Sequence, residues 1–322
     1  RLGCRSHIPG ISSEYISHLF IAWAGIMSKL IIFTDLDGTL LHPKTYSFKA
    51  AIPALRLIKE KEIPLILCSS KTRAEIEVYR RRLDNKHPFI SENGGGIFVP
   101  EKYFSFSLVE TGNQLSPFPH PHPIPPPSRG RESKEGGEGE KYETIILGKH
   151  YNEIRRVFIK LREEMNVPVK GFGDRSAKEI AALAGLTLTE AKLAKERGFD
   201  EPFLFEERER RIQEFLKAIE NRGLHWTQGR FYHIIGDNDK GKAVKILKEF
   251  YKRDYGRIKA IGIGDSFNDL PLLKEVDYPV LIPKEDGSYE PRVKLRNIRK
   301  ANKTGPEGWN EAVVELIGAF SG

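Results

Sequence analysis

The stretch that most restricts the fold is "LIIFTDLDGTLL" at residues 30–41. Its apolar run, residues 30–34, fits a strand that is buried on both faces, as in parallel sheets. Two carboxylates, Asp35 and Asp37, follow at once. Because residues two apart in an extended chain point to the same side, we expect both at the carboxyl end of the strand. Open α/β sheets bind their ligands at that edge.

Two neighbouring negative charges need a compensating group. A divalent cation provides one, because Mg²⁺ prefers hard oxygen ligands and changes the local electrostatics. Gly38 allows a sharp turn after the pair, and Thr39 can tie down the loop by hydrogen bonds. The alternative is a pair of exposed loop carboxylates, which a buried run ending in D-x-D-G-T disfavours.

A second acidic cluster supports the metal site. In "IGIGDSFNDLP", residues 261–271, an apolar strand ends in glycine and is followed by Asp265, and then by Asn268 and Asp269 on the next turn. A parallel sheet brings the carboxyl ends of its strands to one edge. Distance along the chain therefore does not keep Asp265 away from Asp35.

Two further segments supply groups that hold phosphate oxygens. Ser69 follows the apolar run 63–68, and Lys240 begins a predicted helix in "DKGK". A hydroxyl and an ammonium are suited to phosphate oxygens. Taken singly, Ser69 or Ser70 also fits the cap of the next helix, and Lys240 fits a solvated surface lysine. Their joint occurrence with the two acidic clusters favours a phosphate site.

The order of predicted elements indicates two domains. Strands and helices alternate up to residue 112 and again from residue 234, which predicts an α/β core with a parallel sheet and helices on both faces. We therefore expect a discontinuous core, residues 27–112 and 234–322. Residues 113–233 are predicted to form an α+β insert that covers the core as a lid. Within that insert, the stretch 116–140 is rich in Pro, Gly and charge and is predicted to be disordered.

The N-terminus and the composition restrict location and partners. Met27 stands just before the first strand, so residues 1–26 are interpreted as an extension that is not native, with a short membrane or partner contact as the alternative. Cys4 and Cys68 suggest no disulfide framework, which favours the cytoplasm. The net charge of +8 fits a nucleic-acid partner or a small anionic substrate. The apolar stretch 18–27 is shorter than the roughly 20 residues that cross a membrane.

These motifs together resemble the haloacid dehalogenase superfamily of phosphohydrolases. "DLDGT" is similar to its first motif, Ser69 to its second, Lys240 to its third and "GDSFND" to its fourth. The resemblance implies a Rossmann-like parallel core with an inserted α+β cap. It also implies that Asp35 is a nucleophile that forms an aspartyl phosphate, and that Asp37 is the general acid and then the general base.

The resemblance assigns roles to the remaining motif residues. Mg²⁺ would be held by Asp35, the backbone carbonyl of Asp37, and Asp265. Lys240 and Ser69 would balance the charge of the transferring group. Residues that orient the site would be Thr39, Asn268 and Asp269.

Several stretches are similar to one branch of that superfamily, the Cof-like sugar phosphatases, and within it to the mannosyl-3-phosphoglycerate phosphatase family. They are "SSKTRAE", "PFISENGGGIFVP", "GFGDRSAKEIAALAGL", "AKERGFDEPFLF", "GRFYHI" and "DKGKA". The resemblance implies removal of phosphate from mannosyl-3-phosphoglycerate to give mannosylglycerate, a compatible solute. Glucosyl-3-phosphoglycerate or another sugar phosphate stays open as the substrate. The alternative of another class, a basic nucleic-acid-binding protein with a vestigial site, lacks a recognisable reader helix.

A substrate with a phosphate, a carboxylate and a sugar requires cations and polar groups. The matching stretches offer cations or hydroxyls for the anionic groups, polar side chains for sugar hydroxyls, and glycine for a close backbone approach. The candidate residues are Lys71, Thr72, Arg73, Glu92, Asn93, Gly94, Asp174, Arg197 and Arg230. For each, the alternative is a structural contact between cap and core. His233 is interpreted as a packed strand residue, and the basic segment 291–303 as a solvated loop.

Overall fold

The computed structural model describes residues 28–108, 140–206 and 210–321. The predicted extension 1–26 and all of the predicted disordered stretch except Glu140 lie outside these ranges. The described chain forms two sheets. The larger has eight strands in the order β12-β11-β10-β1-β2-β3-β4-β5, and the smaller has four in the order β6-β7-β9-β8.

The strands of the two sheets have the following bounds: β1 Lys29–Thr34, β2 Leu65–Cys68, β3 Phe89–Ser91, β4 Gly96–Pro100, β5 Tyr142–Ile146, β6 Val169–Gly171, β7 Asp200–Phe205, β8 His225–Gln228, β9 Tyr232–Ile235, β10 Ile258–Gly264, β11 Tyr278–Leu281 and β12 Arg299–Lys300. Pairing in the larger sheet is parallel from β12 to β3. The last two pairs, β3 with β4 and β4 with β5, are antiparallel.

Nine α-helices lie in the described ranges: α1 Ile52–Glu60, α2 Arg73–Arg82, α3 Tyr151–Met165, α4 Ala177–Ala184, α5 Leu188–Ala194, α6 Ile212–Asn221, α7 Lys240–Tyr255, α8 Leu270–Lys274 and α9 Gly305–Ser321. None of the described helices is long and apolar enough to span a membrane. The predicted α/β class with a mostly parallel sheet is confirmed.

Both faces of the larger sheet are covered, which explains the continuous apolar runs. In β1, Ile32 packs into a core with α1 and α9, whereas Ile31 and Phe33 pack on the other face with α7 and α8. Successive side chains of a strand point to opposite faces, so a strand between two helical layers must be apolar at every position. The indole of Trp309 on α9 is fully buried, which contributes about 2–3 kcal/mol of favourable transfer free energy.

Helix α2 begins differently from the prediction. Its N-cap is Thr72, whose side chain accepts a hydrogen bond from the Glu75 N–H, while the Glu75 carboxylate accepts one from the Thr72 N–H. This capping box satisfies two N–H groups that the first turn of a helix leaves free. Neither Ser69 nor Ser70 caps the helix, because both lie in the loop between β2 and the cap residue.

The smaller sheet and its helices form the inserted domain. A core on this sheet includes Ile154 and Phe158 of α3, Phe215 of α6 and Phe203 of β7. The two predicted boundaries of the insert differ from those in the structure. Strand β5 belongs to the larger sheet because it pairs with β4, so the insert does not begin at 113. Strand β9 pairs with β7 and β8, so the insert extends beyond 233.

Two adjacent segments connect the insert, hereafter the cap, to the core. One follows β5 and contains Gly148, and the other follows β9 and contains Gly236. A Cβ atom on Gly236 would lie 2.7 Å from the backbone nitrogen of Lys149, so the two segments run side by side. A side chain at this position would force them apart.

Candidate active site

The strand order places the predicted motifs at one edge of the larger sheet. β1 lies between β10 and β2 in the sheet. Asp35 follows β1, Asp265 follows β10 and Ser69 follows β2. Parallel strands end at the same edge, so these residues meet although they are far apart in sequence. Lys240 is the first residue of α7, whose N-terminus approaches the same edge.

Lys240 is the central cation of the site. Its ammonium lies 2.6 Å from Asp35 Oδ1 and 2.6 Å from Asp269 Oδ1, and its side chain is fully buried. Burial raises the pKa of Asp35 to about 7, with a further contribution from Asp269, although Lys240 lowers it. A buried lysine between two carboxylates is stabilised in its charged form, and removing it would leave two negative charges uncompensated.

Hydrogen bonds from the opposite side fix the backbone of Asp35. The Trp309 indole N–H donates to Thr34 Oγ1 over 2.9 Å, and the Thr34 hydroxyl donates to the Asp35 carbonyl oxygen over 2.8 Å. The Asp35 N–H donates to the Ile263 carbonyl of β10 over 2.9 Å. These contacts fix the main chain at Asp35 without occupying its carboxylate oxygens.

Three carboxylates form a cluster of the size that a metal ion needs. One oxygen each of Asp35, Asp265 and Asp269 lies within 4.8 Å of the others. Asp269 is already engaged, because Oδ2 accepts the N–H groups of Asp265 and Ser266 at 3.0 Å each and Oδ1 accepts Lys240. Asp265 forms no salt bridge in the described part of the chain. Burial and the two neighbouring carboxylates raise its pKa. A divalent cation fits this set of oxygen donors.

Asp37 lies beside the cluster and is half-exposed to the cleft. Its Oδ2 lies 2.9 Å from the ammonium of Lys71, and its Oδ1 has no hydrogen-bond partner among the described residues. The next residue, Gly38, has a φ of +78°, and a Cβ atom there would lie 2.7 Å from Asp265 Oδ2. Only glycine combines this backbone conformation with so close an approach to the acidic cluster.

The residues predicted to orient the site lie around it. The Thr39 hydroxyl donates to Asp265 Oδ1 over 3.4 Å. The Asn268 side-chain amide donates to Asn93 Oδ1 over 3.0 Å. Ser69 is buried at the end of β2, where its hydroxyl accepts the Lys71 N–H over 3.3 Å.

A cleft of about 800 Å³ opens from this cluster between core and cap. Its core side includes Asp35, Asp37 and Lys71, and its cap side includes Phe172, Arg197, Phe231 and His233. This volume accommodates a small molecule such as a glycoside. Charged groups and aromatic rings therefore line the same cleft.

Two predicted cap arginines line the cleft in different ways. Arg197 is buried and is used structurally, because its Nη1 donates to the Ser70 carbonyl over 2.8 Å and to Asp200 Oδ1 over 2.7 Å. Arg230 is exposed, and its guanidinium donates to the carbonyl oxygens of Ala184 and Leu183 over 2.7 and 2.9 Å. No carboxylate among the described residues forms a salt bridge with Arg230, so its positive charge is open to an anionic ligand.

Three predicted substrate residues do not line the cleft. The Thr72 hydroxyl donates to the Leu193 carbonyl over 3.0 Å, a contact between core and cap. Arg73 pairs with Glu77 over 2.8 Å. Asp174 is held within the cap by Arg155, and by Arg162 over 2.8 Å. The structure favours the alternative, a structural contact, for all three.

Glu92 and Asn93 connect the core to the cap, Gly94 packs against the start of α7 in the core, and none of the three lines the cleft. The Glu92 carboxylate accepts the N–H groups of Gly198, Phe199 and Asp200 at 2.8 to 3.1 Å. The Asn93 amide donates to Asp200 Oδ2 over 3.0 Å. A Cβ atom on Gly94 would lie 2.1 Å from the Asp239 carbonyl oxygen, so this glycine allows close approach of α7 and not of a ligand.

The sequence motifs give little indication of two residues that the structure places at the cleft. His233 lies 2.9 Å from Asp200 through Nδ1, as expected of a packed strand residue, but its side chain also lines the cleft. Tyr46 lies on the core side near Lys71. An aromatic residue in a polar loop carries no motif, so only the fold reveals its position.

Some known proteins are similar to this chain in sequence, and some solved structures are similar to it in fold. The family model of haloacid dehalogenase-like hydrolases matches residues 32–109. A glucosyl-3-phosphoglycerate/mannosyl-3-phosphoglycerate phosphatase of Methanococcoides burtonii is 46% identical over 291 residues, which are 90% of this chain and 98% of that protein. The chain belongs to the haloacid dehalogenase-like hydrolases. This hydrolase is also 34% identical to a mannosyl-3-phosphoglycerate phosphatase of Pyrococcus furiosus, over 78% of the chain and 90% of that protein.

A solved structure of the same fold is the sucrose-phosphatase of Synechocystis sp. PCC6803 in complex with sucrose and phosphate. It superposes with a TM-score of 0.55 at 12% identity and covers 92% of this hydrolase and 99% of that chain. At this identity the similarity shows the fold alone. The family membership confirms the resemblance inferred from the motifs, and with it the enzyme class, a hydrolase of phosphoric monoesters.

Proposed function

We propose that this hydrolase converts mannosyl-3-phosphoglycerate to mannosylglycerate and inorganic phosphate. The observation that carries the proposal is the position of Asp35, which is buried at the base of the cleft, 2.6 Å from the Lys240 ammonium and close to Asp37 on the same loop. The names of the two relatives support the choice of substrate.

The proposed chemistry proceeds through two displacements at phosphorus. In the first, a carboxylate oxygen of Asp35 attacks phosphorus, and the bond from phosphorus to the glycerate oxygen breaks as Asp37 gives that oxygen a proton. In the second, Asp37 takes a proton from a water molecule that attacks phosphorus, which releases phosphate and restores Asp35. The Lys240 ammonium favours the ionised nucleophile and balances the charge of the phosphoryl group.

A divalent cation, Mg²⁺ by the chemistry of its donors, is part of the proposal. The side chains of Asp35 and Asp265 and the backbone carbonyl of Asp37 would hold it, because no hydrogen bond among the described residues uses that carbonyl oxygen. When bound, it neutralises negative charge and orients the phosphate. Asp269 contributes by positioning, since both of its oxygens are already hydrogen-bonded.

The two ends of the substrate place further demands on the cleft. Lys71 beside Asp37 suits the phosphate, and the exposed guanidinium of Arg230 suits the glycerate carboxylate through its planar pair of donors. Arg197 contributes indirectly in this proposal, because it attaches the cap to the core at Ser70. The sugar lies against Phe172, Phe231 and the His233 ring, which line the cap side.

Glucosyl-3-phosphoglycerate is the second candidate substrate. The relative that is 46% identical bears the names of both activities, and the two sugars differ in the orientation of one hydroxyl group. A nucleic-acid partner has little support, because Arg292 of the basic segment 291–303 is paired with Glu290 over 2.6 Å, and Lys303 is paired with Glu311. We also propose a cytoplasmic location, which the buried free thiol of Cys68 supports.

The test is an assay of phosphate release with Mg²⁺ on mannosyl- and glucosyl-3-phosphoglycerate and on simple sugar phosphates. We expect the two phosphoglycerate glycosides to give the highest kcat/KM. Asp35→Asn should abolish release while leaving the melting temperature nearly unchanged, because the amide keeps the shape of the carboxylate. Retained turnover in this variant would refute the assignment of the nucleophile, and a preference for simple sugar phosphates would refute the substrate.

A further inference from the structure

Tyr46 connects the cap to the candidate acid of the core through consecutive contacts. Its hydroxyl donates to the Ala184 carbonyl at the end of α4 over 2.7 Å. Its ring lies 5.0 Å from the Lys71 ammonium, measured to the ring centroid. The same ammonium lies 2.9 Å from Asp37 Oδ2. One side chain therefore contacts both the cap and the cation that holds Asp37.

The backbone conformation of Tyr46 is energetically unfavourable, which indicates that contacts around the residue hold it in place. Its φ is +54°, the left-handed region that residues with a Cβ atom seldom adopt. The Tyr46 N–H donates to the His42 carbonyl over 2.9 Å and so closes the loop in this shape. Such strain persists where surrounding contacts require it, and it is common at functional sites.

The contacts of Tyr46 with the cap lie elsewhere than those of Glu92. The Glu92 carboxylate accepts the Phe199 N–H, and Phe199 packs against Gly95 and Gly148. The contacts of Glu92 therefore lie next to the segments that connect the cap to the core. The bond from Tyr46 to Ala184 instead crosses the cleft, and Arg230 of the cap donates to the same two oxygens over 3.3 and 2.7 Å. A bond across the cleft forms only when the cap is closed.

The charge around Lys71 makes its position sensitive to the Tyr46 ring. Lys71 is buried, and its ammonium is shared between Asp37 and Glu75, at 2.9 and 3.5 Å. The ring of Tyr79 is a second aromatic neighbour at 5.8 Å. Without the Tyr46 ring, one side of the ammonium loses a favourable cation–π contact and can move away from Asp37. Burial and the Asp37 carboxylate raise the pKa of Tyr46, so its hydroxyl keeps the proton that it donates.

We propose that Tyr46 is a positioning residue that couples closure of the cap to the placement of Asp37 for proton transfer. This inference rests on the proposed function, since it takes Asp37 as the acid that protonates the leaving group. It predicts that Tyr46 matters most for esters whose leaving oxygen needs a proton. Alkyl phosphates, including phosphoglycerate glycosides, belong to that class, whereas p-nitrophenolate leaves without one.

The experiment compares Tyr46→Leu, Tyr46→Phe and the control Tyr79→Phe on three substrates: mannosyl-3-phosphoglycerate, glycerol 3-phosphate and p-nitrophenyl phosphate. We expect Tyr46→Leu to lower kcat on both alkyl esters by about tenfold, the scale of a desolvated cation–π contact, and to change kcat on p-nitrophenyl phosphate by less than about twofold. Tyr46→Phe keeps the ring but loses the bond to the cap, so its kcat on the two alkyl esters should lie between that of Tyr46→Leu and that of wild type. Tyr79→Phe removes a hydroxyl beside the same lysine and should match wild type.

Equal losses on alkyl and aryl esters, or no loss in Tyr46→Leu, would overturn the proposal. If wild type hydrolyses glycerol 3-phosphate but not the glycoside, the substrate proposed above is wrong while the comparison of the two simple esters still tests Tyr46. A second measurement does not depend on turnover. Hydrogen exchange of the amides around Ala184 should become faster in Tyr46→Phe than in Tyr79→Phe, and identical exchange would contradict the coupling to the cap.

Discussion

At the scale of single residues, Asp174 illustrates how one carboxylate can stabilise the cap. Its oxygens accept hydrogen bonds from the Arg155 and Arg162 guanidinium groups and from the Gly171 N–H. Burial alone would raise its pKa, but these hydrogen bonds lower it to about 2. The folded cap therefore binds a proton at Asp174 less readily than the unfolded chain does, so ionised Asp174 stabilises the fold.

Asp174→Asn should reduce stability in a pH-dependent way. The carboxylate contributes fully above pH 4, and its contribution is lost as the pH falls toward 2. We expect the variant to be less stable than wild type by about 1 kcal/mol near pH 6, and this difference to shrink by pH 2.5. Urea unfolding at both pH values measures it. Turnover at neutral pH should stay near wild type, and a selective rise in the KM for the glycoside would instead support the original prediction of a sugar contact.

Single residues also show how much of the candidate site could be predicted from the sequence. The sequence predicts that Asp35, Asp265 and Lys240 lie close together, because each follows or begins an element whose end lies at a known edge of the sheet, and the structure brings the three together. Thr72 and Asp174 were assigned to substrate because they are polar and lie in matching stretches. Their actual partners, Leu193 and Arg155, belong to other elements, and no local pattern tells whether a polar side chain faces a cleft or an interface.

At the scale of elements, the position of α7 depends on one glycine in the core. Gly94 has a φ of +89°, and its missing side chain leaves room for the Asp239 carbonyl. Asp239 is the N-cap of α7, where its side chain accepts the Lys242 N–H over 2.8 Å. The next residue is Lys240, so the glycine determines how closely the central cation approaches Asp35.

Gly94→Ala should therefore impair both stability and catalysis. Gly223→Ala is the matched control, because Gly223 has a φ of +68° but nothing within 4 Å of an added Cβ atom. Both variants carry the backbone strain of about 1–2 kcal/mol. Only Gly94→Ala also displaces the start of α7, and we expect at least about a tenfold loss of kcat. Urea unfolding and phosphate release measure the two effects, and equal effects of the two substitutions on kcat would contradict this role of Gly94.

The ends of elements were harder to predict than their presence. The segment "LTEAKLAKERG", residues 188–198, is rich in helix-forming residues and predicts a helix along its length, but α5 ends at Ala194. The following residues turn because Arg197 bonds to Ser70 and the Gly198 N–H bonds to Glu92. Contacts with another domain thus override the local preference for helix.

At the scale of the whole molecule, the cap adds a positive charge to a cleft whose base is acidic. Arg230 brings its guanidinium to the opening, whereas Arg197 is committed to holding the two domains together. The exposed arginine is therefore the better test of how the cap selects substrates. In the proposed reaction, specificity for the substrate then depends on the cap side of the cleft, which takes no part in the displacement at phosphorus.

Arg230→Ala should raise the KM for phosphoglycerate glycosides by about tenfold, the value of one charged hydrogen bond. The kcat/KM for p-nitrophenyl phosphate should change by less than about twofold, since this ester has no carboxylate. Arg222→Ala is the control, because it removes the same charge from the outer surface of the cap, where Arg222 pairs with Glu164. Kinetics on both esters test this, and equal losses on the two would rule out carboxylate recognition by Arg230.

The domain boundaries were the least predictable feature of the whole molecule. The strand Tyr142–Ile146 follows a change in composition, so it was assigned to the cap, yet it extends the larger sheet through β4. A strand shows its own periodicity in sequence but not the sheet to which it belongs.

The pairing of β1 with β10 has a consequence for synthesis of the protein. Lys29 lies opposite Ile258 in this pair, whereas the strands of the cap sheet all come from the uninterrupted region between Val169 and Ile235. On a growing chain at the ribosome, every strand of the cap sheet is therefore synthesised before β10, which is one of the two neighbours of β1 in the larger sheet. Asp265 and Asp269 emerge later still, so no shortened translation product that ends before them has an assembled phosphate site.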